Sequence, residues 1–539
     1  MKLPDMKFSD GIRKLTQVKF NGLHHSPEAA DGELWDMKNL TSDYCPLLAV
    51  RPPRYLLRKL EKGGGLYDWD GLAWVDGTGF FFKGERKGTV SEGKKTFASI
   101  GAYIVILPDK CCYNRETDEF KSMEARWSGA RLCFSDGTLY EEKAIANTIS
   151  CEGVDWSTYF REGDAVEIAG CSKHPENNKT IIIRAIDGEK LHFYEYSFTL
   201  ENGEAYFEEG AMTISRKVPD LIHLCENENR LWGCDERTIY ASKLGDIFNW
   251  NVFDAVETDS WAVTPGAAGK FTGCISFRGF PIFFKENVIY KIYGSLPSEF
   301  QCMGSSTLGL KEGSAGSLAV AAETLFYLSG NGIMAYTGGI PQPVGEAFGT
   351  TKFRKATAGS DGLKYYACME DMSGDVWLYV YDTQQGMWHK EDALRAEAFA
   401  RSGGTLYCLN EKGEIWTLGR VGEVPQGATR EPPVKWEAEF ADYTEGDANK
   451  KGISKLQIRL ELDKGSSVKV WIRFDSEGAW KEVSCLRSDG RKRSFYLPII
   501  PRRSDHFRLR LTGTGGCIVH SLSRELYAGS ELRTRTGRN

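Results

Sequence analysis

Few residue groupings in this chain could do chemistry. Gly88-Thr89-Val90-Ser91-Glu92-Gly93-Lys94 has the glycine and lysine spacing of a loop that cradles phosphate with backbone N–H groups. Lys95 follows where a serine or threonine hydroxyl must hold magnesium, and no helical pattern comes after it, so nucleotide chemistry is not expected there. Carboxylates recur in turn-like settings: Asp68-Trp69-Asp70-Gly71, Asp136, Asp235-Glu236 and Asp371. Two acids flanking a sugar could hydrolyse a glycoside, but spacing along the chain brings no two of these together. His24-His25 lies in the polar arm; a metal role needs more ligands than the pair, which reads as exposed histidines. Neither a G-x-S-x-G elbow nor an H-E-x-x-H helix is present.

Sulfur chemistry is equally sparse. The chain has 14 cysteines but no C-x-x-C pair, and Cys111-Cys112 are adjacent, which argues against zinc. Cys133, Cys234, Cys274, Cys368 and Cys408 lie in apolar, strand-like runs and read as small core residues. Met1-Lys2-Leu3-Pro4-Asp5 lacks the apolar core of an export signal, so reduced thiols in a protein made in a cytosol are expected. On that reading the sequons Asn39-Leu40-Thr41 and Asn178-Lys179-Thr180 stay unmodified. No catalytic, cofactor-binding or metal residue is assigned, and the expectation is a protein that is not an enzyme and needs no cofactor.

The elements that would position any site are β-hairpins. Between Leu221 and Gly345 one unit recurs: an apolar strand, a short polar turn and an aromatic-rich strand. It appears as Arg230–Cys234 into Thr238–Tyr240, Pro281–Lys285 into Val288–Tyr293, and Thr324–Leu328 into Ile333–Tyr336. Earlier copies are Leu72–Val75 into Phe80–Phe82, Tyr103–Leu107 into Cys111–Tyr113, and Arg131–Phe134 into Thr138–Tyr140. Later ones are Asp375–Tyr381 into Met387–His389, and Thr405–Leu409 into Glu414–Leu418. A spacing of roughly 40–50 residues is that of propeller blades. The fold class expected is all-β: a β-propeller of about seven or eight blades, with an inserted small β-barrel and a C-terminal β-sandwich.

The boundaries follow from composition. Residues 1–60 read as an extended arm with apolar anchors, either draped over its own domain or reaching a neighbouring subunit. Residues 61–145 are the first part of the propeller, and 146–216 the inserted barrel, with Gly- and Asn-rich turns. Residues 217–421 resume the propeller, and 422–433 are a Pro/Gly linker. Residues 434–532 alternate strictly, as in Leu456, Ile458, Leu460 and Leu462, which predicts the sandwich; 533–539 form a basic tail. The formal charge of −6 is a poor footprint for holding nucleic acid by phosphate neutralisation. No apolar run approaches the roughly 20 residues of a membrane helix, so no membrane insertion is expected.

Several stretches together resemble the propeller proteins of tailed-bacteriophage tails. These are Gly32-Glu33, Asp36-Met37, Asn39-Leu40, Pro46-Leu47 and Arg51-Pro52-Pro53-Arg54, then Ser242-Lys243-Leu244-Gly245-Asp246-Ile247-Phe248-Asn249-Trp250. Phe284–Tyr290 and Leu328–Ile333 are similar as well. Ile247 stands where the family pattern has proline. The family is that of the tail nozzle, tail tubular and packaged-DNA stabilisation (head-to-tail adaptor) proteins. The resemblance implies a structural virion protein forming a ring, expected to be a hexamer. Its expected neighbours are portal or adaptor and other tail proteins, with double-stranded DNA passing through transiently. Rival expectations are a host-glycan-binding propeller of the virion and a glycan-cleaving enzyme.

Overall fold

A computed structural model describes residues 12–26, 29–30, 33–137, 145–446, 450–487, 492–500 and 502–528. Its described residues are all-β, with four one-turn 3-10 segments and no α-helix. The chain divides into two compact units, Lys62–Ala315 and Met1–Glu61 with Gly316–Asn539.

The unit Lys62–Ala315 holds four antiparallel four-stranded meanders. The first runs Gly63–Asp68, Leu72–Asp76, Gly79–Phe82, Glu85–Thr89; the second is Thr96–Ile100, Tyr103–Leu107, Cys111–Asn114, Glu119–Ser122. The third spans His223 to Val263 and the fourth Gly273 to Ser306. The hairpins read from the sequence at Leu72–Phe82, Tyr103–Tyr113, Arg230–Tyr240 and Pro281–Tyr293 are the middle pairs of these four sheets. The reason is burial: Leu72–Asp76 and Tyr103–Leu107 are buried along most of their length, whereas the outer strand Glu85–Thr89 is largely exposed.

Arg131–Phe134 departs from this pattern. It belongs to the eleven-residue strand Ala125–Ser135, which pairs with Tyr206–Arg216 in a separate seven-stranded sheet. Residues 138–144, expected to form its hairpin partner, lie outside the described residues. The boundary expected at 146 therefore moves to about 125 in the sheet pairing. The cause is a private core: Trp127, Leu132 and Phe134 pack with Trp156, Met212 and Ile214. The sheet order runs from Thr180–Ile182 through Ala165–Ala169, Tyr206–Arg216, Ala125–Ser135, Asn147–Ser150 and Lys190–Phe193 to Ala185–Asp187. Its two end strands are neighbours in sequence but share no ladder, so in place of the expected small β-barrel there is an open seven-stranded sheet. Ile183 and Arg184, between them, bond instead to Asp164 and His192 through their backbone N–H groups.

The other unit carries two more four-stranded meanders, Ala319 to Pro343 and Phe353 to Lys390. A five-stranded sheet follows, in the order Ala396–Ser402, Thr405–Asn410, Glu414–Leu418, Tyr55–Lys59, Thr429–Arg430. The stretch 422–433 is thus not only a linker, because Thr429 and Arg430 pair with Leu56 and Tyr55.

Two further sheets of this unit share one core. Leu34–Lys38, Lys435–Phe440, Phe507–Thr514, Ser467–Phe474 and Glu477–Arg487 form one of them. The other is built on Lys451–Leu462 and Cys517–Ala528, joined by Arg13–Gln17, Leu40–Thr41, Leu48–Val50, Lys492–Leu497 and Arg503–Ser504. The alternation read from the sequence is the inward face: Leu456, Ile458, Leu460 and Leu462 are each at most 2% exposed. The segment expected as an arm is part of these sheets. Phe20, Leu23, Leu34, Met37, Leu40 and Leu48 sit in the same core as Trp436, Ile458 and Leu509. Gly22 is required by close approach, since a Cβ there would lie 2.4 Å from the carbonyl oxygen of Trp388, which accepts the bond from the Leu23 N–H. Leu34–Lys38, Leu40–Thr41 and Leu48–Val50 of residues 1–60 are thus strands of these sheets. The basic tail 533–539 lies outside the described residues.

Candidate functional site

The chemically suggestive groups are absorbed by structure. In the phosphate-loop lookalike, Gly88 lies in a strand where a Cβ would sit 2.3 Å from the Phe120 ring. Lys95 is paired with Asp109 at 2.6 Å and donates to the Ser91 hydroxyl at 2.8 Å. A strand, Thr96–Ile100, follows in place of the helix such a loop needs. Asp70 pairs with Arg115 at 2.7 Å, Asp136 accepts from Asn147, and Glu236 pairs with Lys270. Asp235 takes the backbone N–H groups of Arg237 and Thr238 and the Tyr240 hydroxyl, and Asp371 takes those of Ser373 and Asp375. Asp68 ends the strand Gly63–Asp68, opposite Leu72. Asp235 and Asp371 thus fasten their own turns, and Asp70 ties the first meander to the second.

The histidine pair is not exposed as expected. His24 Nδ1 lies 3.2 Å from Glu33, and half-buried His25 packs on Trp35, burial pushing its pKa down. Asn39 of the first sequon is 4% exposed, and Asn178 of the second is tied to the Cys171 backbone at both ends of its amide. All fourteen cysteines are free thiols. Cys234, Cys368 and Cys408 are buried, while Cys133 and Cys274 are half-buried. Among the described residues, one trio has metal-ligand types, Asp475, Asp505 and His506. Both ring nitrogens of His506 are engaged, Nδ1 with Asp505 at 2.5 Å and Nε2 with Ser476 at 2.8 Å, so the trio reads as two loops bonded together.

The family-like stretches build two buried polar clusters. In the first, Arg51 and Arg54 are 4% and 6% exposed at the side chain. Arg51 grips Glu431 with a two-pronged contact (Nη1 at 2.5 Å, Nη2 at 3.2 Å), and its Nε donates to Asn39 at 2.8 Å. Arg54 donates to Glu391 at 2.6 Å and Asp392 at 2.9 Å. Pro52 and Pro53 hold the intervening chain extended, so both guanidiniums reach the same carboxylates. Burial alone would raise the Asp392 carboxyl, but Arg54 and Arg51 outweigh it and hold it below its ordinary range. Asn39, at φ 56°, also donates to the Lys435 carbonyl, while Asp36 pairs with Lys390. Sequence patterns alone do not announce these partners, because Glu391, Asp392 and Glu431 lie more than 300 residues along the chain. The enclosed space beside them is about 10 Å³, no more than one water.

The second cluster joins the loop Ser242–Trp250 to the seven-stranded sheet. Asn249 donates to Asp164 at 2.9 Å and to Asp246 at 2.7 Å, and accepts from the Ala165 N–H at 3.0 Å. Asp164, 1% exposed, also pairs with Arg216. Asp246 caps the Phe248 N–H, and the Trp250 indole donates to the Ile247 carbonyl at 3.0 Å. Gly245, at φ 68°, makes the sharp bend that lets the loop fold back on itself.

Larger spaces exist elsewhere. A groove of about 620 Å³ is lined by Pro52, Pro53, Pro432, Pro433, Arg430 and Lys464. A cavity of about 350 Å³ lies against Arg230 and Trp232.

No family model matches the chain, and no curated protein matches it. Among solved structures, it is similar to an exo-β-1,3-galactanase from Phanerochaete chrysosporium with galactose, at 9% identity over 56% of this chain and 95% of that one, TM-score 0.23. It is also similar to BamB from Moraxella catarrhalis, at 10% identity over 70% of this chain and 99% of that one, TM-score 0.27. A third is Saccharomyces cerevisiae Sqt1, at 11% identity over 68% of this chain and 98% of that one, TM-score 0.31. Scores this low carry no argument about activity.

Proposed function

We propose that this chain is a structural subunit of a tailed bacteriophage virion, a tail nozzle or head–tail adaptor that assembles into a ring and retains and conducts the packaged DNA. The observation that carries the reading is the use made of the family-like residues. Asn39, Arg51, Arg54, Asp246 and Asn249 are consumed by internal fastening, as suits a protein that works by rigid shape. In this reading the six four-stranded sheets and the five-stranded one are the seven blades of a propeller. Strand Tyr55–Lys59, added beside Glu414–Leu418, is the closing strand of the last blade. A closed circle of blades hides sheet edges that would otherwise pair with other chains.

Charge supports a head-to-tail ring. Residues 450–539 contain 20 Lys/Arg against 9 Asp/Glu, in a chain whose overall formal charge is −6. A rotational ring needs two different, complementary patches on each subunit, and a basic C-terminal region beside an acidic remainder provides them. The subunit is made in the host bacterial cytoplasm and incorporated with portal or adaptor and other tail proteins; no helix among the described residues is long and apolar enough to cross a membrane. Negative-stain imaging and native mass spectrometry of the purified protein test this. A six-fold ring that falls apart as salt is raised is expected. A monomer at every salt concentration, or particles that keep and eject their DNA normally without the protein, would refute the reading.

A further inference from the structure

Core cysteines fill space between strands, and three of them are also placed to bond with one another. All three lie in the unit Lys62–Ala315. In the third meander Cys225 stands opposite Trp232, and His223 opposite Cys234. Residues two apart on a strand share a face, so Cys225 and Cys234 point the same way. They enter a core with Phe271, Phe283 and Tyr290, at 9% and 0% exposed. The first strand of the fourth meander, Gly273–Phe277, runs beside His223–Asn227 and carries Cys274 against that core. The Cys274 sulfur is hydrogen-bonded to those of both Cys225 and Cys234; burial first, and then these two neighbours, push its pKa well up.

Geometry decides which pairs can join. Cys225 and Cys234 sit on a diagonal of one antiparallel ladder, where α-carbons are roughly 7–8 Å apart, and a disulfide spans at most about 7 Å. Cys274 comes from the next sheet and touches each of them. Among the described residues, the three sulfurs are not mutually close enough to share a metal ion. Cys274 alone of the three is only half-buried, so a small oxidant reaches it first.

We propose that hydrogen peroxide joins Cys274 to Cys225 or Cys234, turning the contact between the third and fourth meanders into a covalent staple. The Cys274 thiolate attacks one peroxide oxygen; the O–O bond breaks, leaving a sulfenic acid and water. The neighbouring thiol loses its proton and attacks the Cys274 sulfur; the S–O bond breaks, the S–S bond forms and a second water leaves. Two thiols give up two electrons and the peroxide takes them. The remaining thiol can attack the bridge and pass it from one partner to the other with no net oxidation. Little thiolate exists on so buried a sulfur, so the bridge forms slowly and suits a lasting lock rather than a rapid signal. Its timing rests on the virion reading: a subunit made among cytosolic reductants leaves them when the particle is released.

Oxidising the full chain with hydrogen peroxide, capping the remaining thiols with iodoacetamide and mapping the unreduced digest by mass spectrometry tests it. The Cys274 peptide is expected to be linked to that of Cys225 or Cys234 and to be freed by a phosphine reductant. Closing a loop of about 40–50 residues should raise the melting transition by about 5–10 °C over the reduced chain. Cys274→Ala should lose both the link and the rise, whereas Cys302→Ala, half-buried against the same core, should keep both. Cys274 still free once the exposed Cys485 is oxidised, a link from Cys274 to any other cysteine, or a link that leaves melting unmoved would each overturn the inference. None of these outcomes bears on whether the protein forms a ring.

Discussion

Replacing Arg54 with alanine tests whether the buried polar cluster holds its unit together. The side chain is 6% exposed and donates to Glu391 at 2.6 Å and Asp392 at 2.9 Å. Removing it leaves Glu391, itself 6% exposed, with only the longer contact to Arg51 Nε at 3.5 Å, and Asp392 with Arg51 at 3.4 Å. Breaking a buried pair from one side costs about 3–5 kcal/mol, and the surviving Arg51 contacts put this case near the lower figure, ~3 kcal/mol. At roughly 2–4 °C per kcal/mol the melting transition should fall by about 6–12 °C, read by scanning calorimetry at pH 7. The exposed Lys412→Ala variant should move it by no more than ~0.5 kcal/mol. Acid gives a second readout. The Asp392 carboxyl is held below its ordinary value, so its contribution is present above the unfolded pKa of about 3.9 and is lost as pH falls through the lower, folded value. In Arg54→Ala the folded value rises toward the unfolded one, so this acid-dependent loss should shrink. Because Arg51 and Arg54 share the same carboxylates, the double replacement should deviate from additivity by ~1 kcal/mol or more. A single-variant loss below ~1 kcal/mol, or strict additivity, would sink the argument that these two arginines act as one fastening.

Asn249→Ala should loosen the seven-stranded sheet from the loop that grips it, costing about 1–3 kcal/mol by stranding the Ala165 N–H and removing one of the bonds to Asp164; hydrogen exchange should rise across residues 125–216 and not in the other unit. His389 is buried and His223 half-buried, and desolvation pushes the pKa of each down to about 4. Stability should therefore be full above pH ~6.5 and decline as pH falls toward 4, by up to ~3 kcal/mol per histidine, and His389→Gln should flatten that part of the pH–melting curve.

Middle strands are legible in the sequence because each pairs with a neighbour a few residues away. Strict alternation is not the signal there: Ala73, Trp74 and Val75, or Ile104, Val105 and Ile106, are continuous buried apolar runs between turn formers. Outer strands such as Gln301–Ser306, mostly exposed, carry no apolar pattern that could mark them. The turn signal Ser135-Asp136-Gly137 misleads because the strand before it is claimed by a partner about seventy to ninety residues on, Tyr206–Arg216. The N-terminal strands read as an arm for the same reason: Leu34 finds Phe440 and Arg13 finds Leu526, pairings no local window contains. Candidate chemistry is legible only as residue types. That Lys95 is spent on Asp109, or that Arg230 is left facing a cavity, is decided by tertiary neighbours.

The pairing of early strands with late ones sets an order of events during synthesis. Thr16 bonds Ser523 across 507 residues, and Asn39 reaches the Lys435 carbonyl across 396. At translation speeds of roughly 5–20 residues per second, the strands near the start wait about 20–100 s for their partners. The stretch Lys62–Ala315 has all its ladders within itself and can settle while the ribosome is still working. A ribosome that stalls before residue 435 thus releases a nascent chain with a finished middle and an adhesive, unmated beginning, the form most prone to clump or to call for a chaperone.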